Sequence, residues 1–252
     1  MQGPRLKLEY GPFYRVLQAW PEDQTLIMAM QACIAAQRRV AERMGFAPAA
    51  GRDSPSAGSS VTAGSASEGA LRELLARARN VRGLSTEPEI SNVQSFNARN
   101  LERTWMDRDV AKQRRALDRI VLGKLRESFP GERRLSTLTS GHWWYPPGSE
   151  MGWHTNSDSP GWRLYLVHAE EPGRSGFRYL HPESGDVVTD LDLEWCARLF
   201  LVPHDRPFWH AVFSETNRFS FGYLVRPRSW SGDLAWHLRR LGQAARRRWP
   251  GR

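Results

Sequence analysis

From position 133 onward the chain breaks into seven short runs rich in aromatic and β-branched residues, at 135–145, 161–169, 176–181, 186–190, 197–203, 207–214 and 218–226. Gly, Pro, Asn and Asp separate them, and such punctuated runs are the mark of antiparallel strands. Seven short strands suit a jelly-roll or barrel, because a closed sheet leaves no edge exposed. The carboxy-terminal half is therefore expected to be mostly sheet.

The first half has a different texture. Over 13–44 the apolar positions Val16, Leu17 and Trp20 precede a break at Pro21, and Leu26, Met30, Cys33, Ile34, Val40 and Met44 follow at helical spacing. This predicts two packed helices. Residues 47–69 are rich in Ala, Ser and Gly and poor in large apolar side chains, which predicts a flexible loop or linker. Helical patterning returns over 70–82 and over 107–129, where Val110, Leu117, Ile120, Val121 and Leu125 form a stripe bounded by Pro130 and Gly131. The expected architecture is α+β: helices in 1–132 buttress a jelly-roll core at 133–230, and a basic helix follows at 231–252.

The 36 Lys and Arg outnumber 27 Asp and Glu, a formal charge of +9 concentrated in 238–252. A basic balance attracts polyanions through its long-range field. It equally follows from an arginine- and alanine-rich composition, so nucleic acid or an acidic partner at the carboxy terminus is the minor reading. Cys33 and Cys196 lie far apart and outside any zinc-finger spacing, which implies reduced conditions rather than a disulfide scaffold. The amino terminus lacks an apolar core of signal-peptide length, and no window approaches the ~20 apolar residues of a membrane span. A soluble, cytoplasmic protein is expected.

Two histidines carry the chemistry. A non-haem iron centre holds its metal on one face with three protein groups, commonly His-x-Asp/Glu and a distant His, and leaves adjacent positions for a bidentate 2-oxo acid and oxygen. Here His154 precedes Asn156 by two positions, and strand alternation would set both side chains on one face. The distant histidine is His210. Eight residues later comes Arg218-Phe-Ser220, expected as the return strand of a hairpin in which position 212 pairs with 220. A guanidinium and a hydroxyl there would hold the far carboxylate of a dicarboxylic cosubstrate by charge-assisted hydrogen bonds.

Residues 142 to 226 resemble the double-stranded β-helix core of the iron(II)/2-oxoglutarate dioxygenases, particularly the prolyl-hydroxylase-like branch. The matching text is Tyr145-Pro-Pro-Gly148, Trp153-His154-Thr-Asn156, Trp162-Arg163-Leu-Tyr-Leu-Val167, Gly176-Phe-Arg-Tyr179, Arg198-Leu-Phe-Leu-Val202, Trp209-His210 and Arg218-Phe-Ser220. The resemblance implies Fe(II) bound by His154 and His210, and 2-oxoglutarate bound by Arg218 with Ser220, with O2 as second cosubstrate. It also implies a cosubstrate hydrogen bond from Tyr145. The implied reaction is hydroxylation of an unactivated C–H in a peptide, amino acid or small molecule, with release of succinate and CO2.

Asn156 departs from the family's carboxylate. Its carbonyl oxygen ligates the metal, or Asp158 swings in, or a two-histidine centre takes water or an anion instead. Hydroxylation is the favoured outcome; a halogenase and a cupin-like non-catalytic binding protein are the alternatives. Trp143, Trp144, Trp153, Trp162 and Trp209 read as core packing or as an aromatic substrate wall, and Arg163 as an exposed strand residue or a substrate contact. His168, His181 and His204 have no ligand-like spacing.

Overall fold

The computed structural model describes residues 13–46, 64–77, 88–96, 108–132, 134–157 and 159–227. The basic carboxy-terminal segment and the stretch 47–63 lie outside the described residues, as does Asp158.

Helix α1 (Gln24–Arg43) starts where Asp23 accepts a hydrogen bond from the Leu26 amide at 3.0 Å, satisfying one of the orphan N–H groups of the first turn. It ends at Met44 and Gly45, the glycine taking a positive φ of 67°. Its stripe, Leu26, Met30, Cys33, Ile34 and Val40, is buried. α2 spans Glu68–Arg77 and α3 spans Arg108–Ser128. On α3, Leu117, Val121 and Leu125 are fully buried, each worth about 1.5–3 kcal/mol against exposure.

The first predicted helix is a strand. β1 (Tyr14–Val16) pairs antiparallel with β9 (Trp195–Val202), Tyr14 opposite Phe200, and the Leu17 amide donates to Ala197 O at 2.8 Å. A three-residue segment such as Tyr14-Arg15-Val16 is too short to show a period of its own. The unpaired edge of β9 supplied the hydrogen bonds that decided it.

The remaining strands are β2 (Ile90–Ser91), β3 (Gln94–Ser95), β4 (Leu135–Tyr145), β5 (Ser149–His154), β6 (Gly161–Ala169), β7 (Ser175–Leu180), β8 (Val187–Leu191), β10 (His210–Ser214) and β11 (Arg218–Pro227). They form a six-stranded sheet, β1-β9-β6-β11-β4-β3, and a five-stranded one, β2-β5-β10-β7-β8. Every pairing is antiparallel. The core is jelly-roll-like, as the strand runs implied.

The predicted hairpin between β10 and β11 is absent. β10 pairs with β5 and β7 while β11 pairs with β4 and β6, so the turn at 215–217 carries the chain from one sheet to the other. A turn of that length serves a hairpin and a sheet-to-sheet crossing equally well, and the partners available on each side decide.

Three cores follow. The outer face of the large sheet (Trp162, Leu164, Leu166, Phe219, Phe221, Tyr223) packs against α1 and α3. The inner face meets the small sheet through Tyr145, Met151, Phe177, Tyr179, Phe200, Phe208 and Val212. The outer face of the small sheet, with Trp153, Trp209 and Phe213, is covered by Ala66 and Leu71. Residues 64–69, expected to be linker, are thus structural: Ser67 O accepts from Trp153 Nε1 and Ala66 O from Arg178 Nη1, each at 2.7 Å. Four of the five tryptophans near the motif are core rather than site wall, and Trp143 packs at the margin of the inner cluster. Among the described residues, no helix is long and apolar enough to cross a membrane.

Candidate functional site

β5 and β10 are neighbours, and His154 stands opposite His210 across them. The pairing slips between His210 and Val212, whose partner is Met151. One residue of β10, Ala211, therefore faces two of β5, Gly152 and Trp153, a bulge that brings both Met151 and His154 to the inner face. Gly152 sits in it because a Cβ there would come within 3.0 Å of Ser65 Oγ and 3.3 Å of Glu89 O.

The two imidazoles are held alike. His154 Nδ1 lies 2.8 Å from Gly152 O and His210 Nδ1 lies 2.9 Å from Phe208 O. A carbonyl only accepts, so each Nδ1 carries the proton and each Nε2 presents a lone pair. Burial holds both rings neutral, His154 down to about 4 and His210 well below its ordinary value. Arg163 adds to the depression of both, so its charge lies close to them. That residue is buried on the inner face of β6, correcting the expectation of an exposed position, and its Nη2 donates to Ser159 O.

Asn156 reaches the pair by an unpredicted route. The strand ends at His154, and Asn156 takes a left-handed φ of 52°, placing its Nδ2 2.9 Å from His210 Nε2. Expected strand alternation is corrected to a turn, with asparagine present because it tolerates that conformation. A flip of the amide puts its oxygen at the same place.

Alternation turns Phe219 and Phe221 outward and Arg218 and Ser220 inward on β11. Both are buried. The Arg218 guanidinium lies 5.0 Å from the Tyr145 ring centre, and its Nε donates to Asp192 Oδ2 at 2.7 Å. Its Nη1 and Nη2 are buried and have no hydrogen-bond partner among the described residues. Tyr145 OH donates to Met151 Sδ at 3.7 Å, and burial pushes its phenol upward. Tyr165, also inward, feels the charges of both Arg163 and Arg218.

Asp192, Arg198, Ser175 and Tyr165 escaped the sequence reading. The signal for Arg198 was present, a charge inside the apolar run Trp195–Val202. Asp192 carried none, as it lies just past β8.

The donor set suits a borderline divalent cation: two neutral imidazole nitrogens and one amide. Among the described residues no cluster of three or more His, Cys, Asp or Glu could hold a metal. The orphaned end of Arg218 suits a carboxylate.

No protein-family model matches the chain, and no curated protein matches it. Three solved structures are similar in fold. A Pseudomonas putida prolyl-4-hydroxylase is 14% identical, over 86% of this chain and 94% of that one, with a TM-score of 0.42. A Trichoplax adhaerens prolyl hydroxylase, in complex with a hypoxia inducible factor oxygen degradation domain peptide fragment, is 11% identical over 82% and 95%, TM-score 0.38. A collagen prolyl hydroxylase of Paramecium Bursaria Chlorella virus-1, a complex with 2-oxoglutarate, is 11% identical over 63% and 88%, TM-score 0.33. At these scores the functional reading rests on the chain's own side chains.

Proposed function

We propose that the chain is an Fe(II)- and 2-oxoglutarate-dependent oxygenase of the prolyl-hydroxylase-like branch, hydroxylating a C–H of a peptide, amino acid or small molecule. One observation carries this reading: a barrel interior that holds two Nε2 lone pairs on neighbouring strands also buries a guanidinium whose two Nη nitrogens are unsatisfied among the described residues. An unsatisfied buried donor is costly, and a bound carboxylate relieves it. The order β9-β6-β11-β4 against β5-β10-β7-β8 supports a double-stranded β-helix core.

In this reading His154 and His210 hold iron, and Asn156 stands at the third position through its amide oxygen. Arg218 receives the far carboxylate of 2-oxoglutarate, with Ser220 and Tyr145 beside it. When bound, iron and 2-oxoglutarate supply the oxidising power, the cosubstrate losing CO2 to become succinate while oxygen enters the substrate. The chain's part is placement and exclusion of water. The rings of Phe177, Phe200 and Phe208, centred 5.5, 5.7 and 5.5 Å from that of His210, keep the histidines dry. An asparagine side chain already at His210 favours hydroxylation over halogenation, which needs that position for a halide.

Anaerobic titration of Fe(II) and 2-oxoglutarate into the apoprotein tests this. A visible charge-transfer band is expected, lost in His210→Ala and needing far more 2-oxoglutarate in Arg218→Ala. Absence of the band at every concentration would sink the reading and leave a cupin-like binding protein.

A further inference from the structure

Two buried arginines share one buried acid, and only one of them has its donors used. Arg198 gives its Nε to Asp190 Oδ2 at 2.8 Å, its Nη1 to Asp192 Oδ1, and its Nη2 to Leu191 O at 3.1 Å. Arg218 gives only its Nε, to Asp192 Oδ2 at 2.7 Å. Ser175 Oγ donates to that same oxygen at 2.6 Å. Arg198 is a structural cation, saturated within the fold. Arg218 is pinned by one edge and left with the other.

Asp192 is fully buried, and Asp190 is the more open member, its side chain 27% exposed. Asp190 and Asp192 together balance Arg198 and Arg218, so net charge does not mark the anion site; the unused edge of Arg218 does. A guanidinium offers two kinds of edge to a carboxylate, Nε with one Nη or the Nη pair. Asp192 on Nε leaves the Nη pair.

We infer that Asp192, braced by Arg198 and Ser175, is a positioning residue for the cosubstrate: it holds Arg218 so that the Nη1/Nη2 edge receives the carboxylate far from the metal. This rests on the cosubstrate reading above and adds the group that sets the orientation of its anchor. Pure charge and positioning predict opposite signs. Removing a negative charge beside a dianion site strengthens binding by Coulomb attraction; losing the brace weakens it.

The test uses the full chain with Mn(II) in place of iron, titrated calorimetrically with 2-oxoglutarate and with pyruvate. Pyruvate has the chelating end but no far carboxylate. Wild type is expected to prefer 2-oxoglutarate by ~100-fold or more, the scale of two charge-assisted hydrogen bonds. In Asp192→Asn the single amide oxygen serves only one arginine well. Its affinity for 2-oxoglutarate is expected to fall ~10-fold while that for pyruvate stays within about twofold. Unchanged or tighter 2-oxoglutarate binding overturns the inference, and so does an equal fall for both acids, which marks a structural role. No preference in wild type overturns the Arg218 reading itself. Should circular dichroism show Asp192→Asn unfolded, Ser175→Ala carries the same comparison without a change of charge, with a smaller selective loss for 2-oxoglutarate expected and no selective loss overturning the inference.

Discussion

His154 and His210 present a matched pair: their ring centres are 4.1 Å apart, and each gives its Nδ1 proton to the carbonyl two residues before it. The same local hydrogen bond on two strands sets one tautomer twice and leaves two Nε2 lone pairs at the same end of the barrel. In the proposed centre a metal would meet both lone pairs, and Asn156 at the third position would tune its affinity.

Asn156→Asp tests that position. Aspartate tolerates the left-handed conformation that Asn156 adopts. A carboxylate adds a negative charge beside a divalent cation, and a tenfold gain in affinity needs only about 1.4 kcal/mol, well within that attraction. Mn(II) titration should show at least this gain. Unchanged affinity would mean that the side chain does not reach the metal.

Arg198→Met should destabilise the fold and loosen the brace on Asp192. It strips Asp192 of one of its two cations inside the fold, leaving a buried charge undercompensated. Breaking such a pair costs about 3–5 kcal/mol. Urea unfolding at neutral pH would read it, and a change below 1 kcal/mol would contradict the reading of Arg198 as structural.

Gly222→Ala probes the crowding on the inner face of β11. A Cβ there would lie 3.0 Å from Gly141 O and 3.0 Å from Tyr165 Cε1, a ring beside Arg218. Backbone on one side and a ring on the other leave little room, so a loss of about 1–3 kcal/mol is expected by thermal unfolding.

Acid should weaken the apoprotein from pH 6.5 downward. Burial lowers His142 to about 3 and His154 to about 4 from the ordinary 6.5. Above pH 6.5 both stay neutral folded or unfolded, and stability is complete; as pH falls from 6.5 towards 3 only the unfolded chain takes up the protons, and stability declines. Melting temperature should fall steadily over that window, with a shallower slope in His142→Phe. Parallel slopes would remove His142 as a cause.

The strands at 135–145 and 161–169 were legible to the residue, because each is a run of aromatic and β-branched residues bounded by turn residues. The ligand candidates His154, Asn156 and His210 were legible from residue type and spacing, and Arg218 from its place after the second histidine. The route was not. Asn156 arrives by a left-handed turn and Arg218 by a crossing between sheets, both governed by which strands found partners. Phe13 and Tyr14 read as helix because a run so short fits either period.

The sequence by itself determined the types of the longer elements and the residues chemically able to bind a metal and an anion, since periodicity and side-chain chemistry are local properties. Only the tertiary structure brought Asp192 and Arg198 to Arg218. Their roles come from burial and from hydrogen bonds between segments distant in sequence, and the cost of leaving a charge unpaired exists only once the fold has excluded water.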